Sequence, residues 1–295
     1  MGNDFLLFVG ILIFFFVLWF ASGGPTKPIS FAGPYITPIT DVGDVQSGYD
    51  DGTWKGFGGF WNGNDEAISG SVSSYRDQVY LDTSSDGVDG TRANTEYLTI
   101  EVSSSAANDV SLSGWRLVSD KTGTNVIIPQ GRETPRTGNV NQTGAIVLHP
   151  GDRAIVSTGS SPIGVSFREN ACVGYLGDSD EFTPELYNSC PSATDEYYDY
   201  YDGNTDKDTK CSDYVNTVDR CETPRVSSSL SRACKDFVSD HLNYNGCVKE
   251  HGDDRDFKGD TWRVYLGQRN ELWKSSNETI RLVDPSGKTV DLVSY

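Results

Sequence analysis

The most constraining feature of this chain is a series of short segments in which apolar and polar side chains alternate. In residues 96–102, Leu98, Ile100 and Val102 occupy every second position, so one face of an extended segment can be buried. Similar segments recur along the chain and are separated by turn residues: QVYLD, NVIIP, AIVLHPGD, RAIVST, TWRVYL, TIRLV and KTVDLVSY. The pattern predicts a mainly β fold, and its spacing favours an immunoglobulin-like antiparallel β-sandwich over residues 77–295.

The composition agrees with a domain of short strands and turns. The chain has 295 residues, of which 36% are hydrophobic, so it can bury a full core. Its 31 glycines and single methionine suit short strands joined by turns. The sequence Asp284-Pro285-Ser286-Gly287 predicts a hairpin turn between the last two segments. A formal net charge of −18 repels phosphate backbones, and we expect no direct binding to nucleic acid.

All six cysteines lie between two of the alternating segments. None of them shows the C-x-x-C spacing of zinc or iron–sulfur sites, and their number is even. We therefore expect three disulfides formed in an oxidising compartment, with all fifteen pairings open. The cysteines are Cys172, Cys190, Cys211, Cys221, Cys234 and Cys247.

These cysteines define an insertion predicted to span residues 167–258, without strands and partly helical. One apolar face is expected in a helix that begins after serine caps and ends at Asn245-Gly246, and a second, shorter helix is expected over Cys211–Cys221. Because a loop of this length buries little on its own, disulfides worth roughly 2–4 kcal/mol each are expected to stabilise it. The apolar face consists of Leu230, Cys234, Phe237, Val238 and Leu242.

The N-terminal region predicts a membrane anchor. Residues 5–20 are apolar and uncharged, and residues 1–22 are interpreted as a transmembrane helix that contacts the membrane through residues 5–21. A cleaved signal peptide is the alternative, but the run is unusually bulky and no Lys or Arg precedes it. Residues 23–76 are expected to form a Pro/Gly-rich spacer. The cysteines favour an extracellular C-terminal domain.

Five marks in order resemble the lamin tail domain family, an immunoglobulin-like sandwich of nuclear lamins and bacterial exported proteins. The resemblance covers about 77–165 and 258–295, and the insertion departs from the family. The resemblance implies binding or scaffolding at a cell surface, without catalytic residues, and the layout is similar to anchored bacterial surface proteins. The marks are Glu96-Tyr97, Leu112-Ser113-Gly114-Trp115 with Leu117, Pro129 with Gly131, Leu148 with Pro150-Gly151, and Val290-Asp291 with Tyr295.

Trp115 is expected to be a core residue rather than an exposed recognition residue. Gly114 permits a tight bend before it, and the indole is expected to pack between sheets beside Leu98, Ile100 and Leu117.

An acidic stretch of the insertion matches the ligand spacing of an EF-hand loop. Its oxygen-bearing side chains stand at positions 1, 3, 5, 7 and 12, which suits Ca²⁺, although Lys207 replaces the glycine of the sharp turn. A solvated acidic loop is the default interpretation, and calcium binding is the alternative. The candidate calcium ligands are Asp202, Asn204, Asp206, Asp208 and Asp213.

Two further stretches of the insertion are candidate sites. The run YYDYYD predicts a contact surface, with core packing or a disordered segment as the alternative. In HGDDRD, His251 and its neighbouring aspartates resemble a metal or general-base centre, but nothing pairs them with a nucleophile and a surface loop after the last cysteine is the favoured interpretation. The candidate contact residues are Tyr197, Tyr198, Tyr200 and Tyr201, and the acidic neighbours of His251 are Asp253, Asp254 and Asp256.

The sequence therefore predicts a single-pass membrane protein with an extracellular, non-enzymatic domain, whose insertion engages an unidentified surface or envelope partner. No cofactor other than calcium is expected. One alternative is a calcium-dependent hydrolase or nuclease with its site in the insertion. The other alternative is a pilin-like assembly subunit. The apolar run lacks the Glu that pilins have near its start, and this counts against that alternative.

Overall fold

The computed structural model describes residues 72–83, 87–88, 90–201 and 208–295, which all fall in one compact unit, Asn64–Tyr295. The predicted anchor and nearly all of the predicted spacer lie outside the described residues. Over the part that is described, no helix has the length and apolar character needed to cross a membrane.

The described residues form a mainly β structure with three sheets. The largest sheet has the strand order β1-β2-β8-β10-β9-β6, the second β12-β11-β4-β5, and the smallest pairs β3 with β7. The strands are β1 (Val79–Asp82), β2 (Tyr97–Val102), β3 (Val110–Ser111), β4 (Arg116–Ser119), β5 (Asn125–Ile127), β6 (Gly131–Arg132), β7 (Val147–Leu148), β8 (Arg153–Ser157), β9 (Ser166–Asn170), β10 (Lys258–Tyr265), β11 (Thr279–Val283) and β12 (Thr289–Ser294).

The largest sheet is mixed, so the prediction of purely antiparallel pairing is wrong here. Strand β10 runs parallel to β8 and antiparallel to β9, and β6 runs parallel to β9. A parallel pair needs a long crossover connection, and the cysteine-bearing segment between β8 and β10 supplies it. The second sheet is antiparallel, and its β11–β12 hairpin closes through the turn at 284–287, where the Gly287 amide donates to the Asp284 carbonyl at 2.9 Å.

One hydrophobic core draws side chains from all three sheets. Leu98 and Ile100 of β2 and Leu117 of β4 are fully buried in it. Trp115, directly before β4, is 1% exposed, and its ring centroid lies 5.0 Å from that of Tyr75. Gly114 has a φ of +89°, a conformation that L side chains rarely adopt, and this bend directs the following indole into the core.

The cysteine-bearing segment adds five described helices. Four of them begin at a side chain that accepts a hydrogen bond from a backbone amide of the first turn, as helix caps do: Ser192, Asp208, Ser231 and Asn243. The helices are α1 (Gly174–Ser179), α2 (Ala193–Tyr200), α3 (Thr209–Val215), α4 (Arg232–His241) and α5 (Tyr244–His251).

The expectation that residues 167–258 contain no strand is wrong at their beginning. Strand β9 starts at Ser166, pairs with β10 and is buried at every position. Its sequence, SFREN, lacks an alternating pattern because both faces are covered and its polar side chains are buried with partners. Arg168 pairs with Asp152 at 3.0 Å, and Asn170 donates to the Tyr244 hydroxyl at 3.1 Å.

The helix predicted to end at Asn245-Gly246 ends earlier, at His241. Asn243 instead begins α5, because its side chain accepts a hydrogen bond from the Gly246 amide at 3.0 Å. Gly246 allows a close approach between the two helices, since a Cβ there would lie 2.2 Å from the Asp240 carbonyl oxygen. The second predicted helix, α3, ends at Val215, before Cys221.

The prediction of three disulfides is confirmed. The bonds are Cys172–Cys247, Cys190–Cys221 and Cys211–Cys234, and each of the six cysteines is at most 5% exposed. The first two bonds belong to a second buried cluster, which includes Phe167 and Leu176. The third bond belongs to a third buried cluster, which includes Tyr197 and Phe237, and both clusters are separate from the core between the sheets. The insertion therefore buries more apolar surface than its sequence suggested.

Candidate functional site

A buried arginine fixes one loop of the insertion to the largest sheet. Arg263 of β10 is 2% exposed, and its Nε donates to the carboxylate of Glu169 on β9. Its two terminal nitrogens donate to the carbonyls of Pro184 and Glu185 at 2.6 and 2.9 Å. The planar guanidinium thus has its charge paired and holds the loop 182–186 in one position.

This loop forms one wall of an open cleft, which we call the acidic cleft. Helix α1 and residues 219–222 form the other walls, and the cleft has a volume of about 1030 Å³. Six carboxylates line it against a single guanidinium, that of Arg220, which donates to the Cys190 carbonyl at 2.9 Å. Within the described chain, none of these carboxylates forms an ion pair. They belong to Asp178, Asp180, Glu181, Glu185, Asp219 and Glu222.

Covalent and hydrogen bonds fix the walls of the acidic cleft. The disulfide Cys190–Cys221 joins two of the chain segments around it. Asp178 at the end of α1 accepts a hydrogen bond from the Thr223 amide at 3.0 Å, which ties α1 to the segment that follows Cys221. The cleft is therefore formed by segments that are distant in sequence and linked to one another.

A second, more apolar cleft of about 610 Å³ meets the acidic cleft at Ser179 and Asp180. Val140 of the loop 136–140, Pro162 and the half-buried Ile163 contribute apolar surface to it, whereas Tyr175 and Leu176 of α1, which also line it, are at most 4% exposed. The two clefts flank α1, so the groove changes along its length from acidic to apolar.

Only part of the predicted tyrosine surface is exposed. Tyr197 is 1% exposed, and its ring packs edge-on against Phe237 with centroids 5.5 Å apart, so its prediction as a contact residue is wrong. Tyr197 and the half-buried Tyr201 lie one helical turn apart and face the third cluster. Tyr198 and Tyr200 project outward and are 40% and 51% exposed.

The candidate calcium ligands fall into two groups. Asp202, Asn204 and Asp206 lie outside the described residues. Asp208 caps α3, because its Oδ1 accepts from the Cys211 amide at 3.1 Å and its Oδ2 from the Ser231 hydroxyl at 2.5 Å. Asp213 is exposed on α3. Calcium binding stays a prediction, and Asp208 has a structural role that does not need the ion.

Asp208 also lies near the sulfurs of Cys211 and Cys234, a grouping with metal-site dimensions. Because the two sulfurs are joined in a disulfide, neither is a thiolate, and thiolates are the form of cysteine that binds metals.

His251 bridges two carboxylates that belong to different parts of the insertion. Its Nε2 forms a hydrogen bond with Glu196 of α2, and its Nδ1 lies 2.9 Å from Asp254. Partial burial lowers the pKa of His251, but the hydrogen bonds to Asp254 and Glu196 and their charges outweigh it and raise the pKa. Both ring nitrogens face carboxylates of this chain, so neither is directed at an open cleft.

The other acidic neighbours of His251, Asp253 and Asp256, are exposed and form no ion pair within the described residues. Sequence reasoning missed Glu196, which is far from His251 in the chain, and it missed the acidic cleft. The only available signal was the excess of Asp and Glu over Lys between residues 178 and 213.

The chain matches no protein-family model, no curated protein and no solved structure.

Proposed function

We propose that this chain is a membrane-anchored extracellular surface protein whose β-rich domain displays a disulfide-stapled insertion that binds a partner. In this proposal the domain is an immunoglobulin-like sandwich similar to the lamin tail domain, and residues 1–22 form the anchor. The observation that carries the proposal is the set of three buried disulfides, because such bonds form and persist mainly outside the reducing cytosol.

The exposed features of the insertion support binding rather than catalysis. The acidic cleft offers carboxylates and apolar surface on a fixed frame, and Tyr198 and Tyr200 add exposed aromatic surface nearby in sequence. The hydrolase or nuclease alternative places its site around residues 202–213 and 251–256. In the second of these stretches, both ring nitrogens of His251 already face carboxylates. The pilin-like alternative depends on the apolar run, which lies outside the described residues.

The proposal is tested on intact cells that carry the full chain. External protease is expected to degrade the domain while a cytosolic marker stays intact. Thiol labelling of the denatured protein with a maleimide–polyethylene glycol reagent is expected to modify no cysteine before reduction and all six afterwards. A protected domain with reactive thiols in intact cells would contradict the proposed location.

A double substitution in the apolar run tests the predicted membrane anchor. Ile13→Asp combined with Phe15→Asp places two charges in the apolar run, each costing about 2.5–3.5 kcal/mol at the centre of a membrane helix. This variant is expected to leave the membrane fraction. If it stays in the membrane fraction to the same extent as the original chain, residues 5–21 are not the anchor.

A further inference from the structure

We propose that the acidic cleft and the adjoining apolar cleft together bind an extended segment of a partner protein that carries Lys or Arg beside apolar side chains. This inference rests on the proposed function, because it names the partner chemistry of the same displayed insertion. The occupant follows from the charge, the spread of the carboxylates and the shape of the groove.

Charge complementarity indicates a cationic occupant. The six carboxylates of the acidic cleft form no ion pair within the described residues, and the guanidinium of Arg220 is directed to a backbone carbonyl. Carboxylates gathered in a concave surface focus the electrostatic potential and raise the local concentration of positive charge. The chain as a whole has a formal net charge of −18, which adds long-range attraction for a basic partner.

The spread of the carboxylates favours side chains over a single metal ion. Among the described residues, the only group of three metal-binding side chains with converging ligand atoms is Asp208 with two disulfide-bonded cysteines. The carboxylates of the acidic cleft do not converge in this way. A divalent cation needs several oxygens around one point, whereas Lys and Arg side chains pair with carboxylates one or two at a time.

The shape of the groove indicates an extended segment rather than a single residue. The two clefts meet at Ser179 and Asp180, and the groove passes from carboxylates to the apolar surface of Val140, Pro162 and Ile163. A partner segment in this groove would place a cationic side chain among the carboxylates and a neighbouring apolar side chain beyond α1. Buried apolar anchors and charge pairs of this kind supply most of the affinity of small interfaces.

The frame of the groove is fixed before binding. Arg263 holds the loop 182–186 through two carbonyls, and the disulfide Cys190–Cys221 closes the opposite side. A site that is already ordered loses less conformational entropy on binding, so a short segment can bind without reorganising the insertion.

The test uses a fluorescent peptide in which Arg and Leu alternate, titrated into the full chain with its disulfides intact and followed by anisotropy. A peptide with Glu in place of Arg is the chemical control. The Arg–Leu peptide is expected to bind and the Glu–Leu peptide to fail. Binding is also expected to weaken as salt is raised, since exposed charges are screened.

The decisive comparison is between two triple variants with the same change in net charge. The cleft variant combines Glu181→Gln, Glu185→Gln and Asp219→Asn, whose side chains form no hydrogen bond among the described residues, so the walls are expected to stay in place. The control variant neutralises three exposed aspartates elsewhere in the insertion, Asp213, Asp240 and Asp253, as Asn. The cleft variant is expected to weaken binding by about tenfold or more, and the control variant by less than about twofold.

Any one of four results would overturn the inference. An equal loss in both variants would show that the peptide responds only to overall charge. Displacement of the peptide by Ca²⁺ at matched ionic strength, with spermidine ineffective, would assign the carboxylates to a metal. A change of oligomeric state that blocks the peptide would assign the groove to a second copy of the chain. If peptide binding fails while external protease still reaches the domain, only this inference falls and the proposed function stands.

Discussion

At the scale of single residues, Trp115 tests whether the core depends on one large side chain. Its indole is 1% exposed and packs against Tyr75, so Trp115→Ala leaves a cavity between the sheets. We expect the free energy of unfolding to fall by roughly 3–5 kcal/mol, measured by urea denaturation with the disulfides intact. Ile127→Ala is the control, because Ile127 is 63% exposed and should change stability by less than about 0.5 kcal/mol. Equal effects of the two substitutions would refute a core role for Trp115.

His251 is the residue whose protonation should alter stability near neutral pH. The charged groups that face it are Glu196 from α2 and Asp254 beyond α5, and they raise its folded-state pKa despite its partial burial. Stabilisation by the imidazolium is therefore complete below the unfolded-state pKa of about 6.5 and is lost as pH rises through the folded-state pKa.

The expected outcome is a decrease in unfolding free energy as the pH is raised from about 6 to about 8, and His251→Gln should remove this decrease. Hydrogen exchange of α2, corrected for the intrinsic effect of pH, should increase over the same interval in the original chain. His149→Gln is the control, since His149 and its partner Asp109 are both about half exposed. If the pH dependence persists in His251→Gln, another group is responsible.

At the scale of elements, the contact between β10 and the loop 182–186 is the most specific link between sheet and insertion. Arg263→Lys keeps the charge but replaces a planar fork with a single ammonium, which cannot serve Glu169 and both loop carbonyls in the same geometry. We expect the free energy of unfolding to fall by roughly 1–3 kcal/mol and hydrogen exchange in residues 182–188 to become faster.

The control for that substitution is Arg281→Lys on β11. Arg281 pairs with Asp120 at 2.7 Å, but both side chains are partly exposed. The substitution should therefore lower the free energy of unfolding by less than about 1 kcal/mol. Similar losses for Arg263→Lys and Arg281→Lys would show that the guanidinium geometry of Arg263 does not position the loop.

Elements with a local signal were predictable from the sequence, and elements whose signal is a distant partner were not. Strands such as β2 have alternating apolar residues, and the turn after β11 has the residues that its geometry requires. Strand β9 was missed because Arg168 and Glu169 look solvent-exposed until Asp152 and Arg263 are placed beside them.

The candidate site follows the same rule. The acidic cleft combines α1 with residues 219–222, and His251 meets Glu196 from another helix, so both depend on how the insertion folds back on itself. The six cysteines predicted that the insertion is closed by disulfides, but fifteen pairings were equally open. Because the pairing decides which segments meet, the position of the cleft could not be read from the sequence.

At the scale of the whole molecule, the separation of the three buried clusters predicts that the disulfides act locally. Cys172–Cys247 joins the end of β9 to α5 in the second cluster, whereas Cys211–Cys234 joins α3 to α4 in the third. Neither bond contributes to the core between the sheets.

We therefore expect the double variant Cys172→Ala with Cys247→Ala to have a free energy of unfolding lower by about 2–5 kcal/mol. Hydrogen exchange around α1 and α5 should become faster, while β2 and β8 stay protected. The matched variant, Cys211→Ala with Cys234→Ala, should instead raise exchange in α2, α3 and α4. Hydrogen exchange with mass spectrometry separates these regions. Disulfides that act locally leave the core between the sheets intact when they are removed. If either variant instead loses protection in the insertion and in the sheets together, the molecule unfolds as one cooperative unit.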